Sequence, residues 1–232
     1  MIDLDTLKIN LALAIRMLTA EAIMDFNGHL SYRIPGTDRI LINPRKIART
    51  ALRAQDIITI DLDGKLIEGK LEPVSENPIH TRIYAARADV ASVAHIHPQY
   101  ATVFSIAQKP LVPVFTTGSF LPRAGAPVYD DPDLIRTRAQ GDAVAQTLGA
   151  ESAVLLRGHG AVVVADDVES CFNACIWLEE NAKKLLWASA IGAPRVFSDD
   201  ELARVRASML TPDVIRKTWD YYVAKYRASG VI

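Results

Sequence analysis

The stretch SVAHIHPQYA sets His95 and His97 on either side of a single Ile. Side chains alternate faces along a strand, so residues at i and i+2 point the same way. A third imidazole, His159, stands between Gly158 and Gly160 in LLRGHGAVVV. Glycines on both sides let the backbone turn and bring that ring inward. Three imidazoles around one point, with a coordination position left open, are the layout of a catalytic zinc-type site. The same pattern also occurs as polar surface or as hydrogen-bonded core. The neighbours of His95 and His97 are apolar, however, so both rings are expected to be buried. A buried imidazole pair is costly unless both rings are satisfied, and a metal ion satisfies them. The other two of the five histidines are His29 and His80.

Two further pieces carry chemistry. In EPVSENPIH, Glu76 precedes Asn77-Pro78, a helix start with Pro at the first helical position. Its carboxylate would meet free backbone N–H groups there. It either stabilises that helix end or acts as a general acid/base or fourth ligand, and spacing leaves both open. In NGHLSYR a Gly-containing turn enters a strand. This is either an ordinary turn or a set of N–H and hydroxyl donors for an anion.

The elements that must position these residues follow from periodicity. Leu4, Leu7, Leu11, Ile15, Leu18 and Ala22 recur at helical spacing and predict a helix from Leu4 to Met24. LSYRI and RILIN read as strands around the turn PGTD, and IITIDLDGKLIEG as a hairpin bent at Asp-Gly. A helix is expected from Asn77 to about Arg87. VASVAHIH, apolar on both faces, should be a central buried strand. A short helix should begin at Gln99. LVPVF reads as the one strand in a Pro/Gly/Thr-rich loop, and long loops of this kind are often functional. A helix is expected from Asp133 to Leu148, then two strands broken by Gly158-His159-Gly160. A long helix from Val168 to Ala190 ends at Gly192, and two more begin near Ser198 and Thr211. Hairpins outnumber βαβ units, so the expected class is α/β with a mostly antiparallel sheet covered by helices.

The 232 residues, 50% hydrophobic and 23% charged, suffice for one large core, and no linker or repeat divides them. A single domain over 1–232 is expected. The net charge of −1 argues against a nucleic-acid partner. No apolar run reaches the roughly 18 residues that span a bilayer, so no membrane association is expected. MIDLDTLKIN lacks the basic start of a signal peptide. Cys171 and Cys175, four apart in a helical segment, read as small core residues in a reducing cytoplasm. Trp177 and Trp187 are read as core or interface.

Taken in order, the Gly28–Ser31 turn, DLDGKLIEGKLEPVSE, HIHP and GHGAVVV resemble the class II aldolase/adducin family. That family includes metal-dependent fuculose-phosphate aldolase and ribulose-phosphate 4-epimerase. The resemblance covers nearly the whole chain. It implies a three-layer α/β/α domain with a mostly antiparallel central sheet. It also implies a homotetramer with active sites at subunit interfaces, acting on a small-molecule substrate. It makes His95, His97 and His159 the ligands of one divalent metal ion per subunit, Zn2+, Mn2+ or Co2+. Glu76 matches the family's catalytic carboxylate, which can also fill the fourth ligand position. The implied chemistry is Lewis-acid catalysis of carbon–carbon bond cleavage. The adducin-like branch is cytoskeletal and lacks the metal ligands, so the full set here argues against it. A C-terminal Tyr often reaches a neighbouring site in this family. Tyr221, Tyr222 and Tyr226 are candidates, although TWDYYVAKY also reads as a packed helix.

The sequence departs from the sugar-phosphate members where they bind phosphate. Their Gly-Asn is Gly28-His29 here, their Thr-Gly is Arg45-Lys46, and their Ser-Ser is Val74-Ser75. An imidazole and a guanidinium thus replace small phosphate-binding groups. A planar carboxylate suits them, because Arg holds it bidentately. Alternatively, Arg45, Lys46 and Arg49 are a solvated loop. The Gly-His-x-Ser turn resembles the family branch that decarboxylates hydroxylated aromatic dicarboxylates. The expected enzyme is therefore a divalent-metal-dependent carbon–carbon lyase, a decarboxylase of a hydroxy-substituted carboxylate. Gly28, His29, Arg45 and Ser75 would bind substrate, and Glu76 or His29 would supply a proton. An aldolase or epimerase acting on a sugar phosphate or hydroxy-oxo acid is the alternative.

Overall fold

The structure is a computed structural model that describes residues 3–232. Eight strands form one sheet: β1 (His29–Arg33), β2 (Ile40–Ile42), β3 (Ile58–Ile60), β4 (Leu66–Glu68), β5 (Ser92–Ile96), β6 (Val128–Tyr129), β7 (Ala153–Leu156) and β8 (Gly160–Ala165). Their order is β4-β3-β2-β1-β5-β8-β7-β6. Every neighbouring pair is antiparallel except β6 with β7. The helices are α1 (Leu4–Ala20), α2 (Asn77–Ala86), α3 (Gln99–Ile106), α4 (Arg138–Leu148), α5 (Val168–Ile191), α6 (Asp199–Met209) and α7 (Pro212–Ala228).

Residue parity along the strands sorts side chains between two cores. Leu30, Leu41, Ala94, Ile96, Leu155 and Val163 pack with the apolar faces of α1 and α5. Ile42, Ile60, Val93, Val154, Val162 and Val164 pack with Ile79 and Ile83 of α2 and Val144 and Leu148 of α4. Both faces are therefore apolar, which explains why β5, β7 and β8 read as continuous rather than alternating hydrophobic runs. The result is the expected three-layer arrangement, with helices on either side of the sheet. Cys171 and Cys175 are buried thiols of α5.

On that sheet, β1 and β5 meet with His29 opposite His95, and β5 and β8 with His95 opposite Val162. His29, Ser31, Val93 and His95 accordingly share the α2 face. The N-terminal end of α2, where Glu76 is the capping residue, lies over this row.

Three expected boundaries differ. LVPVF forms no strand, because Pro113 has no N–H to give a ladder and the side chain of Asn181 takes the neighbour's place. Its Oδ1 accepts from Val114 N at 3.0 Å and Phe115 N at 3.1 Å, and its Nδ2 donates to Val112 O at 2.9 Å. The helix expected from Asp133 starts instead at Arg138, where Thr137 and Gln140 form a capping box. The first helix stops at Ala20, four residues before Met24. Ala22 adopts φ of 57°, and Ile23 N bonds back to Leu18 O, an ending usually made with Gly. Among the aromatic residues, Trp177 and Tyr226 are buried, whereas Trp187 and Tyr221 are exposed. No helix among the described residues is long and apolar enough to cross a membrane.

Candidate active site

Five polar residues from four places in the chain meet at the end of β5. Nitrogens of His95, His97 and His159 lie within 4.8 Å of one another, as do ligand atoms of His29, Glu76 and His95. His159 Nε2 is 3.8 Å from Glu76 Oε1, and His95 Nε2 is 3.9 Å from Glu76 Oε2. Burial holds His95 and His159 below the ordinary imidazole range, His95 far below it. These separations therefore lie between neutral rings and a carboxylate and are not ion pairs.

The hydrogen bonds behind the rings test whether a cation fits. His95 Nδ1 donates to Ala161 O at 3.1 Å, and His97 Nδ1 to Asp25 Oδ1 at 2.7 Å. The two Nε2 atoms face each other at 3.1 Å, where one donates to the other if its ring carries a second proton. As metal ligands both nitrogens would instead be bare, and two lone pairs at this distance need a cation beside them. A divalent cation bound ~2.0–2.1 Å from each nitrogen meets that requirement. The donor set of three imidazoles and one carboxylate thus fits a zinc-type ion, and manganese or cobalt as well.

Glu76 resolves the ambiguity left by its position. It is the N-cap residue of α2, yet its side chain makes no capping bond. The carboxylate turns toward His95 and His159 and is steadied by Ile135 N, which donates to Oε1 at 2.9 Å. Asp25 orients His97 from the other side. Burial would raise its carboxyl, but the bond from His97 and those from the amides of Asn27 and Gly28 hold it below the usual range.

A cavity of about 510 Å³ opens over the cluster. His29, Arg45, Ser75, Glu76, His97 and His159 line it. His95 is fully buried behind them. Gly28 does not line the cavity. A Cβ there would meet Met24 Cγ at 2.2 Å and His95 O at 3.3 Å, so its smallness lets β1 approach β5. The three loop cations fare differently. Arg45 is exposed at the rim, Lys46 pairs with Glu72 at 3.1 Å, and Arg49 is buried with its guanidinium on Gly28 O, Pro44 O and Ile47 O.

Three residues at the site were not anticipated. Arg136 joins the rim because the segment before α4 is loop and not helix. Asp25 and His80 contact site histidines from 72 and 51 residues away, a separation that no local pattern records. The Asp25-Phe-Asn-Gly turn was visible, but its direction was not.

Residues 10–186 match the class II aldolase and adducin N-terminal domain. A 3,4-dihydroxyphthalate decarboxylase of Arthrobacter keyseri is 32% identical over 209 residues, covering 84% of each chain. An L-fuculose phosphate aldolase of Escherichia coli O6:H1 is also 32% identical, over 77% of this chain and 81% of its own. The solved L-fuculose 1-phosphate aldolase of Glaciozyma antarctica superposes with a TM-score of 0.84 at 23% identity, covering 97% of this chain and 90% of its own. The chain belongs to the class II aldolase and adducin family.

Proposed function

We propose that the protein is a divalent-metal-dependent carbon–carbon lyase that decarboxylates a hydroxy-substituted aromatic carboxylate. His95, His97 and His159 hold the ion, with Glu76 as the catalytic carboxylate. The bound cation supplies Lewis acidity toward substrate oxygens. The chain's own residues do the rest. Arg45 and Arg136 receive a carboxylate at the rim, where a guanidinium can bind it through two hydrogen bonds. Ser75 offers a hydroxyl on the same wall. Glu76, held by Ile135 N, would take up a proton from solvent and deliver it to the carbon whose carboxylate leaves as CO2. His29 lines the same cavity.

The observation that carries this reading is a cationic rim over a cluster whose phosphate-binding positions hold His29 and Arg45 in place of small groups. The decarboxylase relative, matched over 84% of both chains, supports it. The equally identical fuculose-phosphate aldolase favours a second reading, sugar-phosphate cleavage, because a phosphate dianion also suits two arginines. A homotetramer belongs to the first proposal too, supported by the exposed apolar end of α5 at Trp187 and Ile191.

The test is to offer metal-loaded protein hydroxyaromatic dicarboxylates and sugar phosphates, reading CO2 and aldehyde separately. CO2 from the aromatic acids is expected. The variant Arg45→Ala should raise KM about tenfold or more, the scale of one hydrogen-bonded charge, with metal content unchanged. Efficient aldehyde release from a sugar phosphate, with the aromatic acids ignored, refutes the proposal.

A further inference from the structure

A line of buried polar side chains leads away from the cavity, and the reaction outlined above does not use it. His29 Nδ1 meets His80 Nε2 at 2.6 Å, and His80 Nδ1 meets Ser31 Oγ at 2.6 Å. Ser31 Oγ meets the Tyr84 hydroxyl at 2.7 Å, and that hydroxyl donates to Ala91 O at 3.2 Å. Two members are at i and i+2 on β1 and two at i and i+4 on α2, so each pair faces the other element. All four are buried, with at most 2% exposed.

The line has a direction because two carbonyls, which can only accept, stand at its inner end: Ala91 O, 3.2 Å from the Tyr84 hydroxyl, and Val93 O, 3.4 Å from Ser31 Oγ. With either hydroxyl proton on its carbonyl, Ser31 accepts from His80 Nδ1–H. That leaves His80 Nε2 bare, to accept from His29 Nδ1–H. His29 Nε2 is left without a proton. It is also buried and without a partner, beside Glu76 and His95. The reverse direction would aim an N–H at the spot where the donor set favours a cation.

We propose that this line locks His29 in the Nδ1–H tautomer, so that its bare Nε2 selects a substrate hydroxyl, with His80 as the positioning residue. The hydroxyl half of this inference rests on the substrate class proposed above; the tautomer half does not. A lone pair accepts a hydroxyl proton and repels a carboxylate. The substrate's hydroxyl therefore belongs beside His29, and its second carboxylate belongs at Arg45 and Arg136.

The tautomer is read without substrate or metal, from solid-state 15N spectra of metal-free protein carrying ring-labelled histidine at neutral pH. His29 is assigned by difference against His29→Gln. A proton on Nδ1 is expected, and a proton on Nε2 or an even mixture overturns the proposal. His80→Leu should give a mixture at His29, and His80→Gln, whose amide oxygen can still accept, should restore the Nδ1–H form. An unchanged His29 signal in His80→Leu removes His80 from the role, and the wild-type spectrum stands as a test even if that variant does not fold. Binding of an ortho-hydroxy aromatic dicarboxylate is then compared with that of its O-methyl ether. At least tenfold weaker binding of the ether is expected, and equal binding refutes hydroxyl selection. If neither compound binds while the sugar phosphate does, the substrate class fails and the hydroxyl half falls with it. The spectrum still decides the tautomer half.

Discussion

Acid should unfold the metal-free protein over a narrow range, and the buried histidines set the size of the effect. His29, His80 and His95 are at most 1% exposed. Burial pushes all three below the ordinary imidazole range, His80 down to about 3, and neighbouring imidazoles push His29 and His95 further. Each ring is neutral in the fold and takes up a proton on unfolding once the pH falls below about 6.5. The unfolded chain then binds more protons, so stability falls with pH. The contribution is complete above pH ~6.5 and lost as pH drops toward the folded values. Three such rings give a slope approaching about 4 kcal/mol per pH unit. From pH 7 to 5.5 the loss approaches about 4 kcal/mol for three rings that stay neutral in the fold. Ordinary carboxylates add little above pH ~5.5. Against a typical stability of about 5–15 kcal/mol, this shifts a urea midpoint far outside error. The assay is urea unfolding with chelator present, at half-unit pH steps from 7 to 5. A total change below about 1 kcal/mol between pH 7 and 5.5, less than one buried imidazole contributes, refutes the assignment of three buried neutral rings.

Two other perturbations follow from the geometry. Asp25→Asn keeps an acceptor for His97 but removes its charge, and metal affinity measured by chelator competition should fall about tenfold or more. Unaltered affinity would show that Asp25 does not tune His97. Asn181→Leu strips three hydrogen bonds from residues 112–115 and should lower stability by about 2–4 kcal/mol, roughly 5–12 °C in Tm. A shift under ~2 °C would mean that solvent satisfies that segment.

Much of the fold was legible because the strongest elements carry their own periodicity. A strand apolar on both faces can only be central, so β5 and the shared face of His95 and His97 followed from the order of residues alone. The hairpin β3–β4 and the start of α2 were marked by Asp-Gly and by Asn-Pro. What escaped were relations between distant segments. Glu76 was visible at a helix start, but whether its carboxylate caps the helix or leaves it depends on Ile135, 59 residues on. Arg136 was hidden inside an expected helix, because the capping box at Thr137 competes with a periodicity that extends further back. LVPVF has strand composition, and only the position of Asn181 on α5 explains why it needs no strand partner. Arg45, Lys46 and Arg49 are alike in sequence. Their three fates, at the rim, in a surface pair and against backbone carbonyls, are decided by packing.

The registers that align His29 with His95 and His95 with Val162 bind the histidine row to one parity of residue number. A slip of one residue would send His95 of β5, and His97 just beyond it, to the other side of the sheet and expose a row of core side chains. The register thus fixes where cation-holding groups can stand and which face they share, while the identity of each side chain remains free to change. Arg45 and Arg136 stand under no such constraint, because both are exposed on loops. A few rim positions can therefore be rewritten without disturbing the register that places the histidine row.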